Sequence, residues 1–249
     1  MSKRKIAIIG GSGLEKLDIF ENIKILDPET PYGKCSSPII SAQTKSTEVY
    51  FFSRHGYDHH ISPIEVNNRA HIWAIKDLAC ESIIATTACG SLREEIEPGD
   101  LIFPNQIVDF TKFRKNTFFD SFADGMNHIS FADPFSEKLI EDFRMLAHNL
   151  SLSYHTSKTL LTIEGPRFSS RAESHMFRTW GADIINMSTA PEVALANEME
   201  IPYAAIAMST DYDCWREGEE SVSQEAVFAV FNKNAQKVTN LLEAYLADE

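Results

Sequence analysis

Two kinds of apolar pattern alternate along this chain. Short unbroken runs occupy residues 5–9, 48–53, 82–87, 159–163 and 183–187; each is too brief for a helix, and together they predict buried strands. The longest run, YAAIAMSTD at 203–211, follows Pro202 and shows no polar alternation before Ser209, the pattern of a strand covered on both faces of a parallel sheet. Between the runs, apolar residues return every three to four positions. This spacing predicts helices over 67–79, over 133–150 with Pro134 at the first helical position, and over 223–246 behind a Ser223 cap, with Val227, Phe231, Val238, Leu242 and Tyr245 along one stripe. Ser170 with Glu173, and Thr189 with Glu192, have the spacing of capping boxes. Pro98-Gly99-Asp100 signals a turn into a β-rich run at 101–110, and the aromatic, polar stretch from there to His128 predicts a long excursion from the core.

Strands alternating with helices predict an α/β fold. The 249 residues contain no linker, repeat or low-complexity segment, so 1–249 reads as a single domain. A net charge of −13 argues against nucleic-acid or anionic-membrane surfaces and requires any anion site to be built locally. The start, MSKRKIAIIGG, has too few apolar residues for a signal peptide, and no apolar stretch approaches the roughly 20 residues of a membrane span. Cys35, Cys80, Cys89 and Cys214 lack CxxC spacing and sit mostly in apolar surroundings, as reduced cysteines of a cytoplasmic protein do.

Candidate chemistry gathers just past the strand ends, where open α/β sheets bind ligands. Gly10-Gly11-Ser12-Gly13 reads as a phosphate cradle or as a plain strand-ending turn; in a dinucleotide fingerprint begun at Gly11, Lys16 would occupy the last small-residue position. Arg54-His55-Gly56 offers a guanidinium fork and an imidazole at the end of the next strand. His55 and His59 are four apart, but Gly56 and Pro63 argue against the helix that a metal pair at that spacing needs. Thr87 and Ala88 add a hydroxyl and an unobstructed N–H, and Ser188 stands at a predicted helix amino terminus, where an anion is favoured. Phe168 is placed to stack on a planar ligand. Asp211 and Asp213 close the longest strand, either as a solvated turn or as a pair whose mutual repulsion lets one hold a proton near neutral pH.

Taken in order, GGSGL at 10–14, RHG at 54–56, TTACGSLREEIEPGD at 86–100, TIEGPRFSSRAES at 162–174, INMSTAPE at 185–192 and STDYDCW at 209–215 resemble the 5′-methylthioadenosine phosphorylases of the trimeric purine nucleoside phosphorylase family. The resemblance runs from about residue 5 to the last helix. It implies a single-domain α/β fold with a mixed, partly barrel-like β-sheet flanked by helices, a homotrimer, no metal or organic cofactor, and inorganic phosphate as co-substrate. It places phosphate at Ser12, Arg54, His55, Thr87, Ala88 and Ser188, the ribose by Met187, and the base by Phe168, Ser169, Asp211 and Asp213. It also implies a 5′ wall of Val227 and Phe228, with His128 lent by the neighbouring subunit. Ser12 and Ser188 stand where several relatives carry threonine, and both keep the hydroxyl. Longer relatives continue past the position of Glu249 with a segment that covers the 5′ pocket.

The implied reaction is phosphorolysis of 5′-methylthioadenosine to adenine and 5-methylthioribose 1-phosphate, in purine and methionine salvage. Asp211 is expected to carry the proton for N7 of the leaving base, and Asp213 to stay charged or orient it. A purine nucleoside phosphorylase preferring adenosine or 6-oxopurine nucleosides, a hydrolase, and a non-catalytic nucleoside-binding protein are the alternatives.

Overall fold

A computed structural model describes residues 3–10, 20–123, 125, 127–218 and 224–247 of the chain, without the side chains of 224–228 and 231–233. Among the described residues, eleven strands form one mixed sheet. Its main path runs β2 (Glu21–Leu26), β3 (Ile39–Gln43), β4 (Thr47–Ser53), β1 (Arg4–Gly10), β5 (Ser82–Ser91), β10 (Ile184–Asn186), β9 (Thr159–Ile163) and β7 (Gln106–Phe110). A branch leaves β5 through β11 (Tyr203–Asp211) to β6 (Leu101–Phe103) and β8 (Tyr154–Thr156).

The apolar runs become strands because both faces of the sheet are covered. Along β1, Ile6 and Ile8 point to one core and Ala7 and Ile9 to the other. Along β11, Ala204, Ile206 and Met208 face the first core, and Tyr203 and Ala205 the second. Helices α2 (Glu137–Asn149) and α5 (Gln224–Ala247) close the first face with Phe143, Leu241 and Leu242. Helices α1 (Asn68–Asp77) and α4 (Thr189–Glu198) close the second with Ile72, Ile75, Val193 and Leu195. Helix α3 (Arg171–Thr179) sets Phe177 against Leu161 and Ile163 of β9, and begins with the expected capping box between Ser170 and Glu173.

Strand β5 is the branch point. Its first half lies between two parallel strands, β1 and β11. The pairing with β1 stops at Ala85, while β10 joins, antiparallel, only at Gly90 and Ser91. On that edge, among the described residues, no strand covers residues 86–89, and the sheet opens there. On the other edge β11 follows β5 to its end, where the register slips between Ser209 and Asp211 so that Asp211 stands opposite Gly90. Such an irregularity redirects side chains at a strand end.

Three expectations change. The strand expected over 82–87 continues to Ser91, because β11 stays paired with it; Thr87 and Ala88 are strand residues. The helix expected from Pro134 starts after Ser136, whose side chain caps Leu139 N and whose backbone N–H donates to Tyr203 O at 2.9 Å. The Thr189–Glu192 capping box does not form, since Glu192 is drawn to a buried cation. Strands β2, β3 and β8 were not expected. The four cysteines are free. No helix among the described residues is long and apolar enough to cross a membrane.

Candidate active site

The open edge of β5 becomes one wall of a cavity of about 610 Å³. The ends of β4, β5, β9, β10 and β11 all deliver side chains to it. Of the residues singled out from the sequence, it is lined by Arg54, His55, Thr87, Ala88, Phe168, Ser169, Met187, Ser188, Asp211 and Asp213.

At one end, Arg54 leaves β4 almost fully buried and donates from Nη1 to Thr86 O at 2.9 Å, using the carbonyl that no strand covers. Its Nε donates to Glu192 Oε1 and its Nη2 to Oε2 at 3.1 Å. Glu192 is fully buried and also accepts from Tyr203 Oη at 2.7 Å. Burial works against the Arg54 charge, but the Glu192 carboxylate more than offsets it and raises the guanidinium pKa. Three of the five N–H donors are thereby committed, and one on each terminal nitrogen is left for an anion. His55 is pushed down to about pH 4, first by burial and then by the Arg54 charge. It is therefore neutral, with Nδ1–H donating to Ile61 O at 2.9 Å and Nε2 left as an acceptor.

Next to Arg54, Thr87 and Ser188 bring their hydroxyl oxygens to 3.2 Å. Ser188 occupies the N-cap of α4 and makes no side-chain cap bond, so its hydroxyl is turned to this cluster. Asn186 organises it: Oδ1 accepts from Thr162 Oγ1 at 2.8 Å, and Nδ2 faces Thr87, Ser188 and Thr189 oxygens at 3.2, 3.3 and 2.7 Å. Sequence reasoning missed Asn186, Thr162, Tyr203 and the ion pair of Glu192. The one available signal was the INMSTAPE motif, whose Asn and Glu flank Ser188.

At the other end, Asp211 accepts from Thr210 Oγ1 at 2.8 Å through one oxygen and from Asp213 N at 2.7 Å through the other. Asp213 is buried, with its Oδ2 lacking a hydrogen-bond partner. Burial raises its pKa, although the Ser174 and Ser169 hydroxyls are near enough to pull the other way without reaching hydrogen-bonding geometry. A carboxyl raised by burial, Asp213, thus stands beside Asp211, the residue that the sequence leads one to expect as the proton carrier. Gly90 brings β5 against this pair: a Cβ there would stand 3.1 Å from Asp211 Oδ1. Phe168, well exposed, and Ser169 form the adjoining wall.

Four expected residues are not brought in. Ser12 and its loop lie outside the described residues, as do the side chains of Val227 and Phe228 in the first turns of α5. His128 does not line this cavity; it is exposed, its ring 5.4 Å from that of Phe122. Among the described residues, no three His, Cys, Asp or Glu side chains gather as metal ligands.

A cavity with an anion end and a carboxyl end on a branched sheet of this kind has known counterparts. The chain belongs to the phosphorylase superfamily, whose family model matches residues 5–247. Among its relatives is S-methyl-5′-thioadenosine phosphorylase of Xenopus tropicalis, 50% identical over 242 residues that make up 96% of this chain and 86% of that one. The Danio rerio protein of the same name is 48% identical over 241 residues, with the same shares covered. Among solved structures, a methylthioadenosine phosphorylase from an antarctic soil metagenomic library superposes with a TM-score of 0.92 at 39% identity, covering 98% of this chain and 86% of that one. Methylthioadenosine phosphorylase from Schistosoma mansoni in complex with adenine gives 0.91 at 38% identity, covering 98% and 91%.

Proposed function

We propose that the chain catalyses phosphorolysis of 5′-methylthioadenosine to adenine and 5-methylthioribose 1-phosphate, serving purine and methionine salvage. The observation that carries this reading is the position of both ends of the site on one strand. Four residue steps along β5 separate Thr86, beside Arg54, from Gly90, beside Asp211 and Asp213, a span of about 13 Å that leaves room for a nucleoside between. The relatives' names agree with it.

In the reaction a phosphate oxygen bonds to C1′ as the C1′–N9 bond breaks, its electron pair passes to the purine, and a proton is delivered at N7. The two uncommitted Arg54 donors, the Thr87 and Ser188 hydroxyls, Ala88 N–H and Ser12 hold the phosphate, whose charge steadies the cationic sugar. Neutral His55, with Nε2 as an acceptor, is suited to receive a hydrogen bond from the remaining proton of hydrogen phosphate and so to orient it. Met187 supports the ribose, and Phe168 and Ser169 the base. The Asp211/Asp213 pair supplies the proton; the buried Asp213 carboxyl, with an unpartnered oxygen, is the better suited to hold it, and Asp211, already accepting two hydrogen bonds, to orient it. The equation balances with no metal or organic cofactor.

We further infer that the protein is a cytoplasmic, single-domain homotrimer. The excursion between β7 and α2 exposes Phe113, Phe122, Ile129 and Phe131 beside His128, an apolar surface suited to a second copy whose 5′ pocket His128 would enter with Val227 and Phe228. Sedimentation analysis tests the assembly.

Chromatographic product analysis with methylthioadenosine, adenosine and inosine, each with and without phosphate, tests the activity. Phosphate-dependent release of adenine, fastest from methylthioadenosine, is expected. Free methylthioribose formed without phosphate would show a hydrolase, and faster turnover of adenosine or inosine would move the assignment to another nucleoside phosphorylase.

A further inference from the structure

Arg114 belongs to the irregular excursion after β7, yet its side chain is almost completely buried. Four of its hydrogen bonds run to the ends of two strands. Nε donates to Glu164 Oε1 at 3.1 Å, Nη2 to the carbonyls of Ile163 and Glu164 at 3.2 and 2.5 Å, and Nη1 to the carbonyl of Met187 at 2.5 Å. Glu164 returns the connection: its Oε2 accepts from the backbone N–H groups of Lys112 and Phe113 at 2.5 and 3.0 Å.

These carbonyls lie at or just past the ends of β9 and β10, whose last paired residues are Ile163 and Asn186. The nucleoside wall begins there, with Pro166, Phe168 and Ser169 after β9 and Met187 after β10. The two segments touch where Gly165, at φ +67°, leaves its Cβ position to the Met187 sulfur, 2.6 Å away. Only a planar, multidentate cation reaches all of these acceptors from one point. The anion end has its own hydrogen-bonded support in Asn186, Thr162 and Glu192, and Arg114 reaches it only through the weaker, through-space action of its charge on Glu192 and His55.

We propose that Arg114 is a positioning residue for the nucleoside side of the site, fixing Met187 against the Gly165–Ser169 wall while leaving phosphate binding to other groups. The inference rests on the phosphorolysis reading for its kinetic arm only.

The test compares Arg114→Met and Arg114→Lys with the unaltered protein. Lysine keeps the charge beside Glu164 but not the fork. In both variants KM for methylthioadenosine is expected to rise by about tenfold or more, with KM for phosphate within about twofold. Arg114→Lys is expected to recover thermal stability without recovering the nucleoside KM, a split that a merely structural role does not give. An unchanged nucleoside KM in Arg114→Met, or full rescue by lysine, overturns the proposal. Amide hydrogen exchange supplies an arm independent of activity: protection at 163–169 and at 187 should fall in both variants while 188–190, 83–85 and 204–206 keep theirs. If the unaltered protein releases no adenine, the functional reading fails, and exchange alone decides the role of Arg114. If Arg114→Met does not fold, the lysine variant decides it.

Discussion

Arg54 and Glu192 meet edge to edge beneath the cavity, Nε to Oε1 and Nη2 to Oε2, with neither group open to bulk water. A buried ion pair of this kind brings little net stability, because desolvation consumes much of the Coulomb gain. What it fixes is direction: the fork can present only its outer N–H groups to an anion.

Removing one partner is therefore costly. Glu192→Ala is expected to lose about 3–5 kcal/mol by leaving the Arg54 charge uncompensated. Tyr203→Phe, which deletes one hydrogen bond to Glu192 Oε2, is expected to lose about 1.5–3 kcal/mol. Urea unfolding at pH 7 measures both. In Tyr203→Phe the KM for phosphate should rise more than that for the nucleoside, and the reverse order would mean that the pair does not orient Arg54 toward the anion.

A second prediction concerns pH. The Asp213 carboxyl titrates above its ordinary value of 3.8 in the folded chain, chiefly through burial. The folded state holds this proton more tightly than the unfolded one, so the stability contributed is complete below 3.8 and is lost as pH rises through the raised value. Asp213→Asn cannot ionise. The difference in Tm, unaltered protein minus variant, should decline across that window and then level off; parallel curves would show that the site does not raise the carboxyl.

How far the sequence discloses this architecture depends on what covers each segment. Strands β1, β4, β5, β9 and β11 are legible because burial on both faces leaves continuous apolar runs. Strand β2, ENIKIL, is an edge strand with Ile23 and Ile25 exposed, so its composition says little about pairing. The Asp133-Pro134 start signal for α2 yields to tertiary contacts, as Phe135 packs on Tyr203 and Ser136 bonds to its carbonyl. At the site, the groups that face a ligand were legible as hydroxyls, a guanidinium and carboxyls past strand ends. Those that hold them were not: the Thr189–Glu192 spacing fits a local cap, and only the fold reveals a buried Arg54 that competes for the carboxylate.

Glycines supply a third prediction. At Gly90 an added Cβ meets Asp211 Oδ1 and Ile185 Cγ2, each at 3.1 Å, so one of them must give by a few tenths of an ångström. Gly90→Ala is expected to cost about 1–3 kcal/mol and to lower kcat by about tenfold through displacement of Asp211. Phosphate KM should hold, since Thr87 lies about 10 Å back along the strand. Equal losses in phosphate and nucleoside KM would point to a general collapse of β5.

The last prediction comes from donor polarity around Asn186. Its Oδ1 accepts from Thr162 Oγ1 and from Ser188 N, which assigns Nδ2 as the group facing the Thr87, Ser188 and Thr189 oxygens. Those hydroxyls receive hydrogens from Asn186; Thr87 Oγ1 gives its own proton to Ala88 O at 2.9 Å, and the proton of Ser188 remains for Thr87 Oγ1 or for a phosphate oxygen. Asn186→Asp preserves shape and reverses this order. A carboxylate there turns the hydroxyl protons inward, presents lone pairs to the cavity and adds a negative charge beside the dianion. The KM for phosphate is expected to rise by about tenfold or more, with nucleoside KM within about twofold. Asn186→Ala separates the two causes, because it removes the donor without adding charge and should raise phosphate KM less. If Asn186→Asp binds phosphate as the unaltered protein does, Thr87 and Ser188 are not the groups that hold it.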